Sequence, residues 1–373
     1  MSLSVRGDHC AAVTTDGYLY TWGQNNLYQC GLGHCETVES PELVTTLQDF
    51  QIVQAVCGDS HTAALSQEGY VFVCGYGGSF LNCGALGTGD RASQATPVVI
   101  DYFYNNGIRI QKLASGSNFM LALDDAGELY SWGNGRFGSL GNEDQTDRLE
   151  PIKSSFKSQF GKIIDISCGL DASMIITEDR KLYTWGRNQS AQLGLSASSY
   201  VGLPRKLLIP TLVELPAGEL PVRGSMGMGC AAVICESGNV FWWGMKWVFP
   251  RDSIIHEEPY QEVLFTAGND KKRHLEKACD VDCGRGMIDL ITESGRLLTW
   301  GDRGNHPFGV KRSLFPFSRT QDAESVEETE GLSSTDLLQA TEVETTNQAG
   351  RVYKMSVGTT MAVAAVEIAE EGK

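Results

Sequence analysis

The stretch "GDSHTAALSQEGYVFVCG" runs from Gly58 to Gly75 and decides how the whole chain is read. His61 stands beside Asp59 and Ser60, residue types that hydrolases use. Yet the stretch returns along the chain. "HCAAVTTDGYLYTWG" begins at His9, "FMLALDDAGELYSWG" at Phe119, "ASMIITEDRKLYTWG" at Ala172, "CAAVICESGNVFWWG" at Cys230 and "MIDLITESGRLLTWG" at Met287. In each unit a Trp, or Cys74 in the second, lies 13 residues after the opening residue. The units start 52, 58, 53, 58 and 57 residues apart. Fixed cores with connections of varying length mark a repeat architecture whose insertions lie in loops. A seventh opening, "GTTMAVAAVEI", places Met361 at the His61 position, and its Trp would fall one residue past Lys373.

Each core reads as a β-hairpin, because "TAALS" and "YVFV" alternate with period two. Between the strands stand Asp16-Gly17, Glu68-Gly69, Ala126-Gly127, Ser237-Gly238 and Ser294-Gly295, which suit turns that need a positive φ. Asp179-Arg180 departs from this pattern and is expected to carry some strain or a different turn. Further strands are expected in "QIVQAVCG", "IRIQKLASG" and "KIIDISCG", with Pro41, Pro97 and Pro151 on outer-edge strands or the loops leading to them, where no ladder donor is required. About four short strands per repeat is the signature of a propeller blade. The fold class is therefore all-β, a seven-bladed β-propeller with an incomplete last blade, spanning 1–373 as one domain. Its strands near Val5 and Val363 are expected to be open edges. His61 is read as architecture, since His9, Phe119, Ala172, Cys230, Met287 and Met361 take its place in the other units. Packing around a central axis tolerates that series; chemistry does not.

At these residues the chain resembles the regulator of chromosome condensation family. The repeats of that family read Gly-x-x-His-x-x-Ala-Leu, then a Trp-Gly strand, then Asn-x-x-Gly-Gln-Leu-Gly. The last element survives here in "WGQNNLYQCGLG", "WGNGRFGSLG" and "WGRNQSAQLGL". The resemblance implies the seven-bladed propeller, and among family members are an exchange factor for the GTPase Ran and scaffolds without exchange activity. "GDSHTAAL" is close to the second unit of the exchange factor, and "CGYGGSFLNCGALG" just after it is longer than its counterparts. In the exchange factor this connection is a wedge that enters the GTPase. The resemblance thus implies GTPase-binding roles for Asp59 and Asn118 and for the segment Tyr76, Gly77, Gly78, Ser79, Phe80, Leu81, Asn82 and Cys83. Asn118 stands where the exchange factor has Asp, and Cys230 where a His is expected.

Composition narrows the remaining classes. A formal net charge of −16 argues against base-specific nucleic-acid binding or an anionic membrane surface, both of which need a basic face. No apolar run approaches the roughly 20 residues of a membrane helix, and the opening "MSLSVRGDHC" does not read as a signal peptide. Eleven scattered cysteines fit reduced thiols in the nucleus or cytoplasm, not a secreted scaffold. "GNGRFG" at Gly133–Gly138 matches a dinucleotide motif, but it sits at a repeat position. Cys30, His34 and Cys35 lack a second ligand pair at zinc spacing. No nucleophile–base pair stands out, so no bond-making chemistry, metal or cofactor is expected. Residues 319–350 are acidic and rich in Ser and Thr, and read as a flexible insertion. Two functions stay open. One is guanine nucleotide exchange on a Ran-like small GTPase. The other is a scaffold without exchange activity, in the cytoskeleton or a large complex. Either is expected to act as a monomer on a protein partner.

Overall fold

The computed structural model describes residues 2–79, 82–154, 161–195, 204–244, 261–262, 277–285, 287–301, 341–342, 351–357 and 362–367. They form an all-β propeller. Six four-stranded sheets follow one another along the chain, each an antiparallel meander whose neighbouring strands are consecutive in space. The expectation of seven such blades is corrected to six. The seventh unit contributes a two-stranded sheet, Arg351–Val357 paired with Ala362–Glu367.

The repeats place the strands where their alternation requires. In the second blade Ile52–Cys57, His61–Ser66, Val71–Gly75 and Gln94–Val99 follow from inside to outside. Pro41, Pro97 and Pro151 lie in the outermost strands of the first three blades, with one edge free of ladder bonds. The hairpin turns are alike: Gly17, Gly69, Gly127, Gly238 and Gly295 all have positive φ. Arg180 adopts φ +60° at the same place, so of the two alternatives for Asp179-Arg180 the turn is kept and the strain is taken on. Of the acidic stretch 319–350, only Thr341 and Glu342 are described, and they pair with Thr299 and Leu298 of the sixth blade. The remainder lies outside the described residues, as does the basic run Lys271-Lys272-Arg273.

A narrow channel runs down the middle, lined by seven first strands: Ser2–Arg6, Ile52–Cys57, Ile110–Ser115, Ile163–Cys168, Pro221–Met226, Ala278–Cys283 and Arg351–Val357. The last of these belongs to the two-stranded sheet, which therefore shares the ring with the six blades. It also shares their local form. A register shift precedes Gln54, Lys112, Asp165, Arg223 and Asp280, and the same shift precedes Lys354. A bulge of this kind bends its strand and re-aims the next side chain.

First strands of adjacent blades are not paired as a sheet, so their edge amides need other partners. Side chains supply them by a repeated bond. The Ser4 hydroxyl accepts the Cys57 N–H at 2.8 Å, Ser167 accepts that of Met226 at 3.0 Å, and Ser225 that of Cys283 at 3.0 Å. Ser356 accepts the Val5 N–H at 3.0 Å in the same way. The edge near Val5 is thus covered, contrary to the sequence expectation.

The ring of Trp132 donates to the Ala85 carbonyl of the preceding blade at 2.8 Å, and Trp185 and Trp243 donate likewise to Ser139 and Gln192. Where the second unit has Cys74, its thiol faces the Gln29 carbonyl at 3.7 Å. Trp132 and Trp185 are fully buried, whereas Trp22 of the first blade is only half-buried.

Candidate partner-binding face

The sequence places the opening residue of each repeat at the axis. The structure moves it. His61 begins the second strand of its blade and points into the third, with Nε2 at 3.0 Å from Ser115 Oγ and 3.3 Å from Met120 Sδ. His9 makes the matching contact to Thr62 Oγ1 at 2.9 Å. His61 folds back over Gly58, where a Cβ would lie 1.9 Å from the imidazole, so only glycine fits there. Burial holds His61 at about 3, with His9 and Arg6 lowering it further; burial likewise holds His9 at about 4. Both rings are neutral fillers between blades. Cys230 takes the position in the fifth blade and lies 3.5 Å from the Gly284 carbonyl.

The loop before each of these residues reaches one end of the propeller. The connection that follows the Trp-Gly strand reaches the same end, because an antiparallel meander returns there after three strands. Bonds between the two are explicit. Tyr76 N donates to the Ser60 carbonyl at 2.9 Å, Asn134 N to Asn118, Gln24 N to Asp8 and Arg187 N to Asp171. Gly75, at the bend, has φ +114° and would put a Cβ 2.4 Å from the Ser60 carbonyl. Asp59, Asn118 and the start of the Tyr76–Cys83 segment are therefore brought to one face.

Within that segment the backbone forms a small hairpin of its own. Gly78 pairs with Cys83 and Ser79 with Asn82. Its neck is tight: Gly84 N donates to the Gly77 carbonyl at 3.2 Å, and Gly77 N to Ser93 Oγ at 3.2 Å. Cys83 is buried at the base, and burial pushes its thiol up to about 11. Ser79 is exposed, whereas Phe80 and Leu81 lie outside the described residues.

Asp59 and Asn118 do not occupy equivalent positions in their repeats. Asp59 N donates to the Ser117 carbonyl at 2.9 Å, and Ser60 Oγ to Asn118 Oδ1 at 3.5 Å, which ties the second loop to the third. The Asp59 carboxyl is pushed up by burial, held back by Arg6, and pushed up further by Asp171 and Asp8. Asp171 is itself raised by burial and steadied by Arg187 Nη1 at 3.2 Å. Arg6 donates from Nη2 to the Cys168 carbonyl of the fourth blade at 2.8 Å. The face thus carries the carboxylates of Asp59, Asp8 and Asp171 with two guanidiniums, Arg6 beside Asp59 and Arg187 on Asp171. Sequence reading singled out only Asp59. The signal for the others was present: Asp8 and Asp171 both immediately precede the repeat opening.

The other motifs resolve as architecture. After "GNGRFG" the chain makes a short turn at Arg136–Gly138 and enters an outer strand at Arg148, with no helix to aim amides at a phosphate. Asn25 accepts the Cys30 N–H at 2.9 Å and donates to the His34 carbonyl at 2.8 Å, while Cys35 is exposed. Among the described residues, no three His, Cys, Asp or Glu side chains are arranged to hold a metal. No described helix is long and apolar enough to cross a membrane.

A family model described as "RCC1-like domain" matches residues 1–309. The chain is 29% identical over 329 residues to "Protein RCC2 homolog" of Xenopus laevis, a match covering 80% of this chain and 59% of that protein. It is 32% identical over 318 residues to "Ultraviolet-B receptor UVR8" of Arabidopsis thaliana, covering 84% of this chain and 68% of that protein. The chain thus spans somewhat over half the length of its RCC2 relative. Among solved structures it superposes on Prp20p of Saccharomyces cerevisiae with a TM-score of 0.74 at 20% identity, covering 99% of this chain and 83% of that one. That likeness shows the propeller fold.

Proposed function

Because the chain belongs to the RCC1-like domain family, we propose that it is a protein-binding propeller and that it acts as a guanine nucleotide exchange factor for a Ran-like small GTPase. The observation that carries this reading is the hairpin at Tyr76–Cys83, standing on the same face as Asp59 and tied to its loop through the Ser60 carbonyl. An exchange factor makes and breaks no covalent bond. It binds the nucleotide-free GTPase better than the loaded form and so lowers the barrier to release. In this reading the hairpin enters the nucleotide site, and Asp59, with Asn118 beside it, holds a basic group of the GTPase. The Prp20p structure is described with that protein's binding to Gsp1p and histones, which supports a protein partner of this kind. Action as a monomer in the nucleus or cytoplasm follows from the same reading. The two-stranded sheet then represents the inner half of a seventh blade.

A scaffold without exchange activity is the second reading. It is favoured by Asn118, which brings no charge to the face, and by Cys230 at a position where the exchange factor carries His.

Release of a labelled guanine nucleotide from a Ran-like GTPase tests the first reading. The intact protein should accelerate release and prefer the empty GTPase. Shortening Tyr76–Cys83 to the length of the third blade's connection should abolish acceleration while the propeller stays folded. No acceleration by the intact protein would leave the scaffold reading. Equal acceleration by the shortened protein would remove the hairpin from the mechanism but keep exchange.

A further inference from the structure

We propose that the central channel binds a small tetrahedral oxyanion of the size of inorganic phosphate or sulfate. The channel, open to solvent, holds about 200 Å³. That is below the roughly 300 Å³ at which pockets begin to take drug-sized ligands, and it suits a hydrated ion better than a nucleotide.

The side chains that follow the repeated bulge form a belt around this channel, and their charge alternates. Lys112 stands on the third blade, Asp165 on the fourth, Arg223 on the fifth, Asp280 on the sixth and Lys354 on the two-stranded sheet. The first two blades contribute neutral Ser2 and Gln54. The aspartates are consumed within the belt. Asp165 accepts from Lys112 and from the Gly224 N–H at 3.2 Å. Asp280 accepts from Arg223 Nη2 and from Lys354 Nζ, each at 2.8 Å. Their side chains are only 8–9% exposed.

The cations are not consumed. A lysine carries three donors and an arginine five, and each here spends one on an aspartate. Lys112, Arg223 and Lys354 keep 38%, 43% and 24% of their side-chain surface exposed. They sit two blades apart in sequence, so they approach the axis from three sides. A tetrahedral anion presents oxygens in several directions and suits that arrangement.

A second layer adds hydroxyls. Ser4, Ser167 and Ser356 line the channel two residues further along their strands. Each spends an oxygen lone pair on a neighbouring backbone N–H and keeps its own O–H to donate. One further carboxylate, Asp282, lines this layer and is held by the Ser225 hydroxyl at 2.8 Å. The belt itself carries three cations, Lys112, Arg223 and Lys354, against two carboxylates, Asp165 and Asp280, an excess of one positive charge in a chain of net charge −16. The belt lies toward the opposite end of the strands from Asp59, so this proposal stands or falls separately from exchange.

Phosphorus-31 line broadening of inorganic phosphate, with thermal melting in phosphate against chloride at matched ionic strength, is the test. Broadening with a phosphate-specific rise in Tm, competed by sulfate, is the expected result. Arg223→Gln and Lys112→Gln should each weaken binding about tenfold. Lys153→Gln, on an outer strand, should leave it unchanged. On the intact protein, GMP should not displace phosphate, because it suits the channel poorly. No broadening, or a melting rise that chloride reproduces, would overturn the proposal. So would binding retained by both channel variants, or displacement by GMP, which would place the ion outside the channel.

Discussion

Val5 donates its backbone N–H to the hydroxyl of Ser356 at 3.0 Å, joining two residues 351 positions apart in the chain. The bond repeats the one between Cys57 and Ser4. It makes the two-stranded sheet a member of the ring, although that sheet has half the strands of a blade. Ser356→Ala leaves a buried N–H unpaired and is expected to cost about 1–3 kcal/mol, with Ser4→Ala costing a similar amount. Urea midpoints of the two variants check this. A loss at Ser4 with none at Ser356 would show that the ring does not close through this sheet.

Acidification should destabilise the fold through its buried imidazoles. In the folded state His61 titrates at about 3 and His9 at about 4, whereas an unfolded imidazole titrates near 6.5. Both folded values are depressed, so the unfolded chain binds more protons below pH 6.5. Stability from neutral burial is therefore complete above about pH 6.5 and falls as the pH drops toward 4 and then 3. Phe119 fills the same place in the third blade. His61→Phe should accordingly flatten the pH dependence by a few kcal/mol over that window, at little cost near pH 7. Urea unfolding from pH 4 to 8 measures the slope.

Arg180 holds φ +60° where five other turns have glycine. Arg180→Gly should stabilise the protein by about 0.5–1 kcal/mol through relief of that conformation. The change forfeits a partly exposed ion pair to Glu236 at 3.1 Å, which is worth little. A lowered Tm would mean that the ion pair outweighs the strain.

Native thiol reactivity should divide sharply. Cys35 and Cys279 are exposed and the other nine cysteines are buried. Burial pushes Cys10, Cys30, Cys74 and Cys168 to about 12. A disulfide reagent at neutral pH should titrate two thiols in the native protein and eleven in denaturant. Fast reaction of more than two in the native state would contradict the packing between blades.

Asp59→Ala bears on the proposed exchange. If the carboxylate holds a buried basic group of the GTPase, its loss should weaken the complex by roughly 2–5 kcal/mol. Affinity for the nucleotide-free GTPase is the readout, with melting as the control for folding. An unchanged affinity would remove Asp59 from the interface.

The repeat, the hairpins, the outer prolines and the strained turn at Arg180 were all legible in the chain. Each depends on residues close together: a period of two, a glycine at a turn, a Trp at a constant distance. The Tyr76–Cys83 insertion was legible for the same reason, as a departure from a local length. The tertiary structure alone decided where the repeats point. Alternation says which residues share a face of a strand, but not which blade that face meets, and His61 turned out to lie against Ser115 and Met120 of the next blade. It also decided the closing of the ring. Ser356 and Val5 gain their bond only when the last sheet is brought round to the first. The charged belt has the same origin. Lys112, Asp165, Arg223, Asp280 and Lys354 are each separated by more than fifty residues, and an equal offset from the repeat opening becomes a ring only when each first strand takes its place around one axis. Hairpins are set by short-range sterics, whereas the channel, its charges and the partner face are sums over blades that meet only in the folded molecule.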